Sequence, residues 1–70
     1  MKAKDVSARV FRFVRNYHKI SQQQLAIKLN VNQCTISKVE QGLHFPSAIV
    51  LGRLEQFMNK SMRELMRLSR

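Results

Sequence analysis

Residues 20–42 read ISQQQLAIKLNVNQCTISKVEQG, and this stretch decides the fold. Ser21 is followed three positions later by Gln24, the pattern of a capping box, so a helix starts near Gln22. It turns Leu25, Ala26 and Leu29 inward. Asn30 is its natural stop, because asparagine tolerates the left-handed backbone at a helix end. Asn32 then serves as N-cap for a helix from about Gln33 to Gln41. Ile36 and Val39 face inward there, and Gly42 ends it. Ala26 is small where two helices must approach closely, and Val31, Ile36 and Val39 seat the second helix on the first. Asn32, Gln33, Cys34, Ser37 and Lys38 are left outside, and the only acid on that helix is Glu40 at its far end.

The flanking sequence is helical too. Val6, Val10, Val14 and Tyr17 recur at i, i+4, i+8 and i+11, one face of a helix from about Lys4 to His18. Arg9, Arg12 and Arg15 leave that stripe at other angles. Beyond Gly42, Leu43 to Pro46 forms a loop, and Ser47 caps a fourth helix reaching about Met58. Its apolar face is Ile49, Val50, Leu54 and Phe57. Asn59-Lys60 breaks it, and Ser61 with Glu64 forms a second capping box, opening a fifth helix with Met62, Leu65 and Met66. Alternation of strand type is weak throughout. The expectation is an all-α, single compact five-helix domain over residues 1–70, with the two-helix unit at about 21–41.

Composition bounds what such a domain does. Lys and Arg total 13 against 4 Asp plus Glu, a formal net charge of +9 on 70 residues. A hydrophobic content of 44% argues against a disordered basic tail. No apolar run approaches the roughly 20 residues of a membrane helix; Ala48 to Leu51 is closed by Gly52 and Arg53. Met1 to Lys4 carries two lysines, but Arg9, Arg12 and Arg15 interrupt the apolar stretch a secretory signal needs. Cys34, the single cysteine, has no partner for an internal disulfide and fits a reducing compartment. His18 and His44 lie far from it in sequence, so no metal site is expected. No spacing activates a nucleophile, and a chain this small buries only about 60% of its unfolded surface, so neither enzyme nor cofactor is expected. What remains is a small, basic, intracellular domain whose simplest partner is a polyanion.

Residues 20–42 resemble the Cro and phage-repressor type of helix-turn-helix domain, the XRE family with its lambda repressor-like fold. The resemblance rests on Ser21-Gln22, Leu25-Ala26, Leu29, Val31, Ile36-Ser37, Val39-Glu40 and Gly42, with Pro46 following. The five-helix pattern extends it to roughly residues 5–66. The similarity is greatest to the glutamine-reading lambdoid repressors and Cro proteins. Asn30 stands where the turn usually holds glycine, and Ile27 falls on a position that is often polar.

The resemblance implies a double-stranded DNA partner and assigns roles. Gln22 matches a glutamine that reaches both phosphate and a base edge, and Gln33 matches the first base-reading residue of the recognition helix. Amide side chains there can bond adenine N6 and N7 in pairs. Cys34 sits where a second base reader is common; its thiol is a weak donor and can instead meet a thymine methyl. Lys38, one turn on, sits where a base or phosphate contact is usual. Ser21, Asn32, Thr35, Ser37, Gln41 and His44 match regions that touch the phosphate backbone. Arg15 and Glu40 align with a structural ion pair that ties the first helix to the recognition helix.

The implied function is a transcriptional regulator, a homodimeric repressor binding a palindromic operator through residues 33–41, in the cytoplasm of a bacterium or a phage-infected host. No small-molecule ligand and no membrane partner are expected. Phe57, Met58, Met62, Leu65 and Met66, with Leu68, are more apolar groups than one face of a short helix can bury, which points to a dimer interface. Two other readings share the domain: the antitoxin half of a toxin pair, whose apolar C-terminal helix holds the toxin, and a restriction-modification controller.

Overall fold

The computed structural model describes residues 3–70; Met1 and Lys2, the start of the stretch weighed as a targeting signal, lie outside the described residues. Five helices follow one another: α1 (Ala3–His18), α2 (Gln22–Leu29), α3 (Gln33–Glu40), α4 (Ala48–Met58) and α5 (Met62–Leu68). No strand occurs among the described residues, and no helix is long and apolar enough to cross a membrane.

The three short connections share one design. Lys19-Ile20-Ser21, Asn30-Val31-Asn32 and Asn59-Lys60-Ser61 each begin with a left-handed residue, at φ 55°, 56° and 55°. Each ends with an N-cap in extended backbone, whose side-chain oxygen accepts an amide of the next helix. In each, the middle residue's N–H reaches back across the helix end: Ile20 to the Arg15 carbonyl at 3.0 Å, Val31 to Ala26 at 2.9 Å, Lys60 to Glu55 at 3.2 Å. That satisfies carbonyls a helix end would otherwise leave without partners. The α3–α4 connection is longer. It closes α3 in the same way, Leu43 N–H donating to the Lys38 carbonyl at 2.9 Å, with Gly42 at φ 75°. A Cβ on Gly42 would also sit 3.3 Å from Asp5 Oδ1, so glycine meets both the conformation and the close approach of α1.

Val10, Phe11 and Val14 of α1 form the centre of the core with Leu25, Leu29, Ile36, Val39, Leu54 and Leu65. α1 packs on α3 and α5, and α2 packs on α3 and α4. Two residues depart from the expected apolar faces. Tyr17 is 64% exposed; its ring lies against Phe13 and His18 on the surface instead of in the core. The buried face of α1 is rotated to take in Phe11, because α1 is covered from two sides. Ile49 is 67% exposed, and α4 buries Val50, Leu54 and Met58 at four-residue spacing instead.

The proposed C-terminal interface also changes. Leu65 is fully buried and Met58 nearly so within a single copy of the chain, so neither is available to a partner. Phe57 and Met62 pack partly against the core, leaving Met66 and Leu68 as the exposed apolar groups of α5. The second capping box is half formed: Ser61 Oγ accepts from Glu64 N–H at 3.3 Å, while the Glu64 carboxylate lies 3.6 Å from Arg67. The Met62 N–H donates to Glu55 of α4 at 2.7 Å.

Candidate nucleic-acid interface

The surface of α3 follows from what its other side must bury. Ile36, Val39 and Glu40 turn inward, so residues 33, 34, 37, 38 and 41 fall on one outward stripe. Gln33, Cys34, Lys38 and Gln41 are exposed, while Thr35 and Ser37 are half-buried. None of the stripe is acidic. Asn32 stands exposed at the helix start, but its Oδ1 accepts from Cys34 N–H at 2.8 Å, so its side chain acts first as the cap. Ser37 Oγ accepts from Gln41 Nε2 at 2.9 Å, which aligns the lower part of the stripe. His44 is exposed in the loop beyond.

The helix is anchored by a charged bond from below. Arg15 of α1 grips Glu40 with two donors, Nε to Oε2 and Nη2 to Oε1, both at 2.8 Å. The Glu40 side chain is 4% exposed and that of Arg15 23%. Bidentate pairs of this kind fix orientation as well as distance. The hydrogen bond to Glu40, and then its charge, raise the Arg15 pKa against the lowering by burial. The contribution of the Arg15 charge is therefore present below the ordinary arginine pKa and is lost only as pH rises through the raised one.

Gln22 joins this anchor. Its Nε2 donates to Glu40 Oε1 at 3.3 Å, and the residue is half-buried at the start of α2. α2 and α3 are thus tied at their polar ends as well as through Leu25, Ala26, Ile36 and Val39. Ser21, exposed, closes the full capping box with Gln24: Oγ accepts from Gln24 N–H at 3.1 Å, and Ser21 N–H donates to Gln24 Oε1 at 2.8 Å. Two supporting residues carry no local sequence signal. Arg53 of α4 donates to the Leu29 and Asn30 carbonyls at 3.2 and 3.1 Å, holding the turn between α2 and α3 from behind. Glu55 does a similar service for α5 at Met62.

The expected site residues thus divide. Gln33, Cys34, Lys38, Gln41, His44, Asn32 and Ser21 are exposed, and Gln22, Thr35 and Ser37 are half-buried. With its turn tethered by Arg53, α3 presents the amides of Asn32 and Gln33 at its start, uncharged groups along it and Lys38 one turn down. Among the described residues, no group of three or more His, Cys, Asp or Glu is placed to hold a metal ion.

A helix-turn-helix family model matches residues 12–65, which includes every helix except the first part of α1 and the end of α5. No curated protein and no solved structure matches the chain.

Proposed function

Because the chain belongs to the Cro/C1-type helix-turn-helix (XRE) family of DNA-binding regulators, we propose that it is a sequence-specific repressor acting in the cytoplasm. The observation that carries this reading is the acid-free stripe of α3, held in place from α1 by the Arg15–Glu40 pair. α3 enters the major groove, Gln33 and Cys34 meet base edges, and Lys38 meets a base or a phosphate. Gln22 reaches the DNA from the start of α2 while its amide nitrogen stays with Glu40. Ser21, Asn32, Thr35, Ser37, Gln41 and His44 lie along the backbone. The surplus charge supplies affinity without sequence: residues 1–28 hold seven Lys or Arg and one acid, residues 29–70 six and three.

The active unit is a homodimer on a two-fold operator. With Met58 and Leu65 spent on the core, the contact shifts to Leu43, Phe45 and Ile49, which are 56%, 52% and 67% exposed within seven residues. This patch follows directly on the end of α3. A second copy seated on it sets two α3 helices on either side of the axis, as two successive major grooves about 34 Å apart require.

Selection from a random duplex library tests the reading. The expected product is an inverted repeat with one fixed spacing. On that product Gln33→Ala should lose about 1–3 kcal/mol of binding, with little change on unrelated DNA. Equal binding by Gln33→Ala would remove α3 as the reading helix. Light scattering should find a dimer that Phe45→Glu converts to a folded monomer; a wild-type monomer on the operator would remove the dimer.

A further inference from the structure

On another side of the molecule, α1 and α5 leave a cleft of about 420 Å³ lined by Val6, Arg9, Arg63, Met66, Arg67 and Arg70. Four of its six residues are arginines, and none is acidic. Its apolar lining is Val6, which packs against the core, and Met66 of α5. The nearest acid on α5 is Glu64, 3.6 Å from Arg67, in a pair whose members are 41% and 70% exposed. Such a surface pair is loosely held and yields readily to a competing carboxylate.

The cleft is separate from the recognition face. Val6 and Arg15 are nine residues apart on α1, which at about 100° per residue puts them on opposite sides of that helix. Arg15 points to α3, so Val6 and the cleft point away from it. Neither α2 nor α3 contributes to the lining. The arginines of the cleft therefore stand apart from the α3 contact; they add to the general attraction for DNA but not to the contact of α3 itself.

We infer that this cleft binds a short acidic peptide segment of a partner protein, with one aliphatic or aromatic side chain on Val6 and Met66 and flanking carboxylates on the arginines. Charge complementarity selects an anion, and the planar guanidinium fork suits carboxylates in paired bonds. The apolar lining selects a peptide over a nucleic-acid backbone, because a phosphate chain gains nothing from Val6 and Met66. The volume lies at the low end of ordinary ligand pockets, room for one large side chain and its neighbours.

Fluorescence anisotropy on the full chain tests this, with two labelled eight-residue peptides of equal charge. One carries Asp and Glu around a central Leu-Phe, and the other has Ser in place of Leu-Phe. The Leu-Phe peptide should bind about tenfold more tightly than the Ser peptide, the scale of burying one apolar side chain. Arg63→Glu/Arg67→Glu, both at exposed positions, should weaken the Leu-Phe peptide by about tenfold or more. A labelled 20-base-pair duplex should lose clearly less. Thermal melting confirms that the variant is folded, and Arg63→Gln/Arg67→Gln gives a milder second variant if it is not. Equal binding of the two peptides, or no loss in a folded variant, overturns the proposal. A loss on duplex DNA as large as that on the peptide does so too, and makes the cleft a phosphate-binding surface. Peptide binding does not depend on the repressor reading, so each can fail while the other stands.

Discussion

The α2–α3 and α4–α5 pairs are joined by nearly the same turn. Asn30 and Asn59 have φ/ψ of 56°/49° and 55°/40°, and Asn32 and Ser61 cap the following helices at −70°/140° and −72°/157°. Yet the two pairs are held differently. The difference lies in what each turn is fastened to. Val31 sits at the centre of the first turn and packs against the core; Lys60 holds that place in the second. The second helix of the first pair is gripped by a buried bidentate ion pair, whereas α5 carries a solvent-exposed one. The same three-residue turn thus serves both pairs, and the first is further fastened from α1 by Arg15 and from α4 by Arg53.

Removing the two ion pairs breaks this comparison most directly. Arg15→Ala leaves Glu40 buried without its cation and should cost about 3 kcal/mol, the low end for a buried pair because Arg15 is partly open to water. Glu40→Ala should cost less than Arg15→Ala, since the stranded arginine can turn outward. Glu64→Ala, across the surface pair on α5, should change stability by under about 0.5 kcal/mol. Urea denaturation of the three variants checks the ranking. Equal losses for Arg15→Ala and Glu64→Ala would mean that the buried pair anchors nothing.

The α4–α5 pair has a carboxylate of its own that matters. Glu55 accepts from Met62 N–H at 2.7 Å, so Glu55→Ala should cost about 1.5 kcal/mol, the usual scale for a hydrogen bond to a charged group. Hydrogen exchange should show the loss first at α5. Asn30→Ala and Asn59→Ala should each cost about 1 kcal/mol, because both force a Cβ-bearing residue without a polar side chain into the left-handed region. The two costs should agree, since the backbone angles do. A clearly larger loss at Asn30 would show that the Arg53 bonds to the Leu29 and Asn30 carbonyls make that turn less forgiving.

Local rules made the helix ends legible in the sequence. Ser21, Asn32, Ser47 and Ser61 cap as their residue types and spacings indicate, and Asn30 and Gly42 stop helices as expected. The Leu25–Ala26–Leu29 and Ile36–Val39 faces were legible because each of these eight-residue helices buries only three residues, at helical spacing. α1 was less so. It is covered by α3 and α5 together, and its buried arc widens to Phe11 while Tyr17 runs past the covering helices. The exposure of Leu43, Phe45 and Ile49 and the arginine-lined cleft had no signature either, since both depend on where α4 and α5 come to rest. Arg53 bonds to residues 24 and 23 positions away, a distance no local pattern encodes.

A small effect of opposite sign concerns the third copy of the turn. Lys19 holds φ 55° with neither glycine's freedom nor asparagine's short polar side chain. Relief of left-handed strain in Lys19→Gly is worth about 1 kcal/mol. Glycine's extra freedom in the unfolded chain takes back roughly half of that. The variant should therefore gain about 0.5 kcal/mol, visible as a small rise in melting temperature. It also removes one positive charge beside the start of α2. If Lys19 faces a phosphate in the complex, the slope of log affinity against log salt falls by about 0.9. A gain in stability with an unchanged slope would make Lys19 a turn residue only. A gain with a reduced slope would mean that the strained conformation is kept for its charge, which would bring the α1–α2 turn into the DNA-binding surface beside the turn of α2–α3.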